Sequence, residues 1–236
     1  MEYEALIFDL DDTLVDFTDS EKKSLDHVYG MFFQDIVTDK IHFENEYHFV
    51  NRLCWDAVEE DRMPISMVGF QRFKYLCISL AVKLDPTQIA KEYESSLAKY
   101  VSWFPGVEDS VRSLKGSHRL GIITNGFKSI QENKKKNMNL DEFFESFIIS
   151  EAVGISKPKK EIFDLALSEM NLSKSKVLMI GDSYSSDYQG AINAGIDFCF
   201  VTNKRPLPKS SLPTPKYVID SVNELALILQ RELVSA

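Results

Sequence analysis

The sequence predicts an α/β fold: a doubly wound parallel sheet broken by one inserted helical module. Two observations carry this. Short apolar runs rich in Ile, Val and Phe recur along the chain with amphipathic patterns between them, as expected of strands buried on both faces and joined by helical crossovers. That rhythm fails once, between Val15 and about Trp103, where apolar residues return every three or four positions and nothing reads as a strand. A chain of 236 residues is long enough for one α/β domain of ordinary size plus such an insert.

The elements follow in order. The first strand lies in "EALIFDL" and runs into Asp9, Asp11 and Asp12. Helical periodicity then fills "SLDHVYGMFFQDI", "FVNRLCWDAVEE" and "MVGFQRFKYLCISLAV", which places an inserted module at residues 17–100 and divides the remaining core into 1–16 and 101–236. In "WFPGVEDSVRSLKG" a Pro105-Gly106 turn precedes a helix that stops at Gly116. Strands follow in "HRLGIIT" and "SFIIS", and the charge run "ENKKKN" between them reads as the solvated face and last turn of a helix, where cations suit the dipole. Pro158 is expected to open a helix with an apolar stripe of Ile162, Phe163, Ala166, Leu167 and Met170. The strand "KVLMIG", a helix over 184–194, the strand "IDFCFV", an exposed loop over 203–216 and a last strand in "KYVID" complete the pattern.

Composition narrows the function. Lys and Arg number 27 against 36 Asp and Glu, a net charge of −9, which argues against a grip on a nucleic-acid polymer but leaves room for a small, locally neutralised anion. Cys54, Cys77 and Cys199 are scattered, with no C-x-x-C spacing, so neither a disulfide framework nor a thiolate zinc site is suggested. His27, His42, His48 and His118 form no H-E-x-x-H and no helical metal spacing. The first residues carry glutamates where a signal peptide carries Lys or Arg, and no apolar run reaches the length of a membrane span. A soluble cytoplasmic protein is expected.

In an open parallel sheet, ligands gather at the carboxyl ends of the strands. Four positions there are chemically loaded: Asp9 and Asp11 after the first strand, Thr124 in "TNG", Lys157 in "SKPKKEIF", and Asp182 and Asp187 in "GDSYSSD". Each alone has a plainer reading. A D-x-D is commonly a turn or a helix cap, Thr124 can cap the next turn, Asp182 or Ser183 can cap the helix that follows, and a lysine at a helix start is usually solvated. A calcium loop fails, because Thr13 and Leu14 stand where an acid or amide and a glycine are needed. Acids, hydroxyl, lysine and acids again, each at a strand end or nearby helix start, make one constellation. Carboxylates crowded at the end of a buried strand also require a cation.

"DLDDT", "TNG", "KP" and "GDSYSSD" match the four motifs of the haloacid dehalogenase-like hydrolase superfamily, which the chain resembles over residues 1–15 and about 101–225. The insert resembles its helical C1-type cap, and "IITNGF", "ISEAVGISKPKKEIFDLAL" and "VLMIGDSYSSDYQGAINAG" are similar to the branch containing pyrimidine 5′-nucleotidases. The resemblance implies a Rossmann-like core and an aspartyl-phosphate mechanism: Asp9 as nucleophile, with Mg²⁺ held by Asp9, the Asp11 backbone carbonyl and Asp182. Asp11 would protonate the leaving oxygen and then activate water. Because the halide-releasing members lack an acid at this position, Asp11 points to phosphate esters rather than haloacids. Thr124 and backbone N–H groups near Asn125 would bind phosphate, with Lys157 offsetting charge. Asp187 would orient Lys157 or a metal-bound water, and Ser183 would touch that water or the loop backbone. Asp12 and Asp16 read as turn and surface acids.

The expected substrate is a small phosphorylated metabolite, a nucleoside 5′-monophosphate (pyrimidine or non-canonical) being favoured. A sugar-phosphate phosphatase or phosphomutase is the alternative within the superfamily, and a non-catalytic phosphate-ligand sensor the alternative outside it. Phe17, Trp55, Phe70, Phe73 and Tyr75 in the insert could stack on a base, but core packing is expected to explain most of them.

Overall fold

Strand β1 (Ala5–Phe8) is buried along its whole length, which is why "ALIF" carries no polar residue before Asp9. It lies at the centre of a six-stranded sheet of order β3-β2-β1-β4-β5-β6 in the computed structural model. The other strands are β2 (Arg119–Thr124), β3 (Ser146–Ile149), β4 (Val177–Gly181), β5 (Asp197–Val201) and β6 (Tyr217–Ile219), and all neighbours run parallel. All six fall within the runs identified from sequence. The structure describes residues 3–60, 62–207 and 211–235, so residues 208–210 of the loop expected over 203–216 lie outside the described residues.

The chain forms two compact units, Met1–Phe17 with Ser102–Ala236, and Thr18–Val101. Phe17, whose ring centroid lies 5.0 Å from the Lys134 ammonium, falls in the first although it also begins helix α1 (Phe17–Val28). The two passages of the chain are stitched within this unit by Asp16 N–H to the Ser102 carbonyl (3.0 Å) and Phe104 N–H to the Leu14 carbonyl (3.1 Å).

The second unit continues α1 through α2 (Lys40–Glu59), α3 (Val68–Ser79) and α4 (Pro86–Lys99). Asp39 and Asp85 cap α2 and α4 by accepting from His42 N–H and Thr87 N–H, and Pro86 occupies a first-turn position where no donor is lost. Phe43, Tyr47, Phe73, Leu76, Ile89 and Tyr93 are buried between these helices. Among the aromatic residues expected to pack there, Phe73 does. Phe70 and Tyr75 are more than a third exposed, because α3 is apolar on more than the one side it buries, and Phe17 on α1 and Trp55 on α2 are half-buried.

In the first unit, α5 (Val107–Lys115) follows the Pro105-Gly106 turn, with Gly106 in the left-handed region (φ 77°). Helices α6 (Lys128–Asn137), α7 (Ser150–Val153), α8 (Lys160–Glu169), α9 (Gln189–Ala194) and α10 (Leu225–Ser235) complete it. On one face of the sheet, Ile7, Ile123, Met179 and Phe198 pack on Ile162, Phe163, Ala166 and Met170 of the α8 region and Ala191 of α9. Each of these Ile, Met and Phe side chains contributes roughly 1.5–3 kcal/mol by leaving water.

Two helix starts differ from expectation. Pro158 precedes α8 rather than opening it: Asn125 clamps Lys157 from both sides of its backbone, and the helix begins at Lys160. The helix expected over 184–194 is a wide π-type turn, Tyr184–Tyr188, before α9, with Tyr188 N–H reaching back to the Ser183 carbonyl at 3.0 Å. That turn carries Asp187 inward.

Candidate active site

Register builds the site. Phe8 pairs with Ile122 on one side and Ile180 on the other, so Asp9, Thr124 and the Gly181–Asp182 pair leave the sheet side by side at its carboxyl edge. In this strand order the chain winds away from β1 toward β2 and β3 and returns to β4, which makes the β1/β4 boundary the switch point where a crevice opens.

Lys157 occupies the middle. Its ammonium donates to Asp9 Oδ1 at 2.6 Å and to the Ile123 carbonyl at 2.8 Å, and pairs with Asp187 Oδ1 at 2.7 Å. Burial works against its charge, but Asp187 and Asp9 hold its pKa above the ordinary lysine value. Asp9 shows the opposing side of the cluster: burial, with the Asp187 and Asp182 carboxylates adding to it and Lys157 resisting, pushes it well above the usual carboxylate range. Asp182 is pushed up to about 7 by burial and by Asp187, with Arg205 acting in the other direction.

Asp9, Asp182 and Asp187 each offer an oxygen within 4.8 Å of the others. Hard oxygen donors with excess negative charge fit a divalent cation. Asp187 is the least available of the three, since Lys157 holds Oδ1 and the Ser183 N–H donates to Oδ2 at 3.1 Å. Asp187 is thereby tied to the Lys157 ammonium and to the Ser183 backbone. Gly181 makes room for this: a Cβ there would stand 2.6 Å from the Asp187 Cγ. Ser183 itself caps the following turn, its Oγ accepting from Ser186 N–H.

Asp11 lies across from this group. Its Oδ2 accepts from Gln131 Nε2 at 2.7 Å and its Oδ1 from Lys134 Nζ at 2.5 Å. Gln131 Nε2 also donates to Thr124 Oγ1 at 3.0 Å. Asn125 spends its side chain on Lys157, donating to the Lys157 carbonyl and accepting from its N–H, both at 2.9 Å, so what it can offer a phosphate is its backbone N–H. The sequence-identified residues thus fall into two neighbouring groups: Asp9, Lys157, Asp182, Asp187 and Ser183 in one, and Asp11 and Thr124 in the other, with Asn125 bracing Lys157.

Sequence reasoning missed Lys134, Gln131 and Arg205. The run "ENKKKN" was expected on a solvated face, but Lys134 is buried on Asp11. In the fold it completes a buried stripe of Phe127, Ile130, Gln131 and Lys134 at helical intervals, two of whose members are polar and so give no apolar pattern in the sequence. Arg205, in the loop after β5, donates to Asp182 Oδ2 at 2.7 Å, while Thr13 Oγ1 donates to Oδ1 at 3.4 Å.

A six-stranded parallel sheet that gathers buried carboxylates around one lysine at its switch point defines a doubly wound α/β protein with an acidic, lysine-anchored strand-end site. The particular family follows from comparison: the chain belongs to the haloacid dehalogenase-like hydrolases, whose family profile matches residues 6–201. It is an enzyme of that group. The pyrimidine 5′-nucleotidase YjjG of Escherichia coli is 30% identical over 97% of this chain and 99% of its own length. The pyrimidine 5′-nucleotidase PynA of Streptococcus pneumoniae is 29% identical over 99% and 98%. The magnesium-bound crystal structure of the HAD-hydrolase YfnB from Bacillus subtilis superposes with a TM-score of 0.86 at 30% identity, covering 97% of this chain and 99% of that one.

Proposed function

We propose that the protein is a Mg²⁺-dependent phosphomonoesterase that works through an aspartyl-phosphate on Asp9 and takes nucleoside 5′-monophosphates, pyrimidine ones first. One observation carries the reading: a buried lysine pairs with the strand-end Asp9 while a second acid, Asp11, two residues on, shares the Gln131 amide with the Thr124 hydroxyl. The names of YjjG and PynA support the nucleotide preference.

Asp9, Asp182 and the Asp11 backbone carbonyl would hold the Mg²⁺. When bound, the ion supplies charge neutralisation between the carboxylate nucleophile and the phosphate dianion. Lys157 and Thr124 neutralise and hydrogen-bond the phosphoryl oxygens. An oxygen of Asp9 attacks phosphorus, the ester P–O bond breaks, and its electron pair leaves on the substrate oxygen, which takes a proton from Asp11. Water then gives a proton to Asp11 and attacks phosphorus, releasing Asp9 and inorganic phosphate. Asp187 keeps Lys157 aimed throughout.

The test is phosphate release from a panel of mononucleotides and sugar phosphates with Mg²⁺, for the native protein and Asp9→Asn. Nucleoside monophosphates are expected to be preferred and Asp9→Asn to be inactive. Undiminished turnover by the variant would remove Asp9 as nucleophile, and faster sugar-phosphate turnover would replace the nucleotide assignment.

A further inference from the structure

We propose that helix α6 carries a pair of positioning residues, Lys134 and Gln131, which fix Asp11 and Thr124 in the orientations that protonation of the leaving group and phosphate binding require. This rests on the reading of Asp11 as the acid and base of the reaction.

The side chains concerned are placed with little freedom. Lys134 is 1% exposed at the side chain, whereas Asp11 is 23% exposed, so the ammonium is enclosed and the carboxylate keeps an open side. A buried lysine is costly to enclose without a strong partner, and this one has a carboxylate at 2.5 Å and the Phe17 ring at 5.0 Å. Gln131, one turn earlier on the same face, is also buried. With Lys134 on Oδ1 and Gln131 on Oδ2, the plane of the Asp11 carboxylate is set at both oxygens. Each oxygen still has a second lone pair for a proton in transit.

Gln131 does a second thing. Its Nε2 has two hydrogens, one for Asp11 and one for Thr124 Oγ1. The Thr124 hydroxyl is therefore an acceptor toward α6, and its own proton is left to donate elsewhere, as a phosphate oxygen needs. The loop makes way for this amide: at Gly126 a Cβ would stand 2.5 Å from Gln131 Nε2. The glycine of "TNG" is thus accounted for by Gln131.

A residue that aims a general acid matters most when the leaving group needs a proton. The experiment compares kcat/KM for the alkyl phosphate that the native protein turns over fastest with kcat/KM for p-nitrophenyl phosphate, whose phenolate departs without help. This ratio excludes the later hydrolysis of the phosphoenzyme. Lys134→Met is expected to lose about tenfold or more on the alkyl phosphate, a part of what a general acid supplies, and little on the aryl phosphate. Lys134→Arg, which can restore a donor, should recover most of the loss. Gln131→Met should show the same selectivity with an added rise in KM for both substrates, because Thr124 loses its orientation; it also serves should Lys134→Met fail to fold.

Equal losses on both substrates, or none, would overturn the positioning role. Asp11→Asn separates the two readings: if it keeps full alkyl-phosphate turnover, the assignment of Asp11 itself is wrong, whereas its inactivity alongside unselective Lys134 and Gln131 variants removes the positioning role alone.

Discussion

Asp187 Oδ1 lies 2.7 Å from Lys157 Nζ, with each side chain 1% exposed, and this pair is the anchor on which Asp9 is mounted. Removing one member of a buried ion pair leaves the other uncompensated, at a cost of about 3–5 kcal/mol. Lys157→Met should therefore lower the stability of the metal-free protein at pH 8 by roughly that amount, read as a shift in urea midpoint. The loss should shrink toward pH 5, where Asp9, already displaced upward by burial, takes up a proton instead. A loss that is the same at both pH values would mean that the lysine does not hold these carboxylates.

Gly181 tests the same anchor without touching a charge. Its Cβ would collide with the Asp187 side chain, 2.6 Å from Cγ and 2.8 Å from Cβ. Gly181→Ala should cost about 1–3 kcal/mol by overpacking. Because Asp187 must move off Lys157, the phosphate-release rate should fall by about tenfold or more, on the scale of losing a preorganised site donor. Thermal melting and steady-state turnover check the two halves, and a variant that is destabilised but fully active would detach Asp187 from the chemistry.

Much of this was legible in the sequence because strands buried on both faces of a parallel sheet have to be uniformly apolar. "ALIF" and "VLMIG" announce themselves, and the polar residues that follow them are then fixed at one edge. Lys134 was not legible as a site residue because charge usually reports solvent, and its burial depends on Asp11, 123 residues away in the chain. Arg205 was hidden for a similar reason: it lies in a Pro/Ser/Lys-rich stretch that reads as loop, and what it touches is set by the return of the chain after β5. The wide turn at Tyr184–Tyr188 carries no local signal, since its purpose is to bring Asp187 inward.

The acidic cluster makes metal-free stability depend on pH in the direction opposite to an ordinary ion-paired carboxylate. The Asp182 pKa is raised from 3.8 to about 7, so its folded form binds the extra proton; the associated stability is complete below the unfolded value and is lost as pH rises through about 7. Asp9 shifts in the same direction. A divalent cation favours the ionised forms and reverses the penalty. The rise in Tm on adding Mg²⁺ to protein first stripped with a chelator should thus be larger at pH 8 than at pH 5, each kcal/mol being worth about 2–4 °C in a chain of this size. Equal rises at the two pH values would place the ion away from Asp182 and Asp9.

Arg205 and a cation held as proposed would compete for one carboxylate. The guanidinium donates to Asp182 Oδ2 at 2.7 Å from a side chain that is 54% exposed, so it can swing away at small cost. It has two opposed effects. By pairing with Asp182 it lowers that pKa and keeps the carboxylate ionised, which helps an incoming ion; by occupying Oδ2 it obstructs the same ion. At pH 8.5, above the raised pKa of Asp182, the native carboxylate is ionised and the obstruction dominates, so Arg205→Met should tighten Mg²⁺ binding by about two- to fivefold, on the scale of an exposed ion pair. At pH 6 the balance inverts. Without Arg205 the Asp182 pKa rises above its present value of about 7, protons compete more strongly, and the same variant should bind Mg²⁺ more weakly than the native protein. Isothermal titration calorimetry at the two pH values measures both signs, and an affinity change of the same sign at each would show that Arg205 acts on the site in one way only.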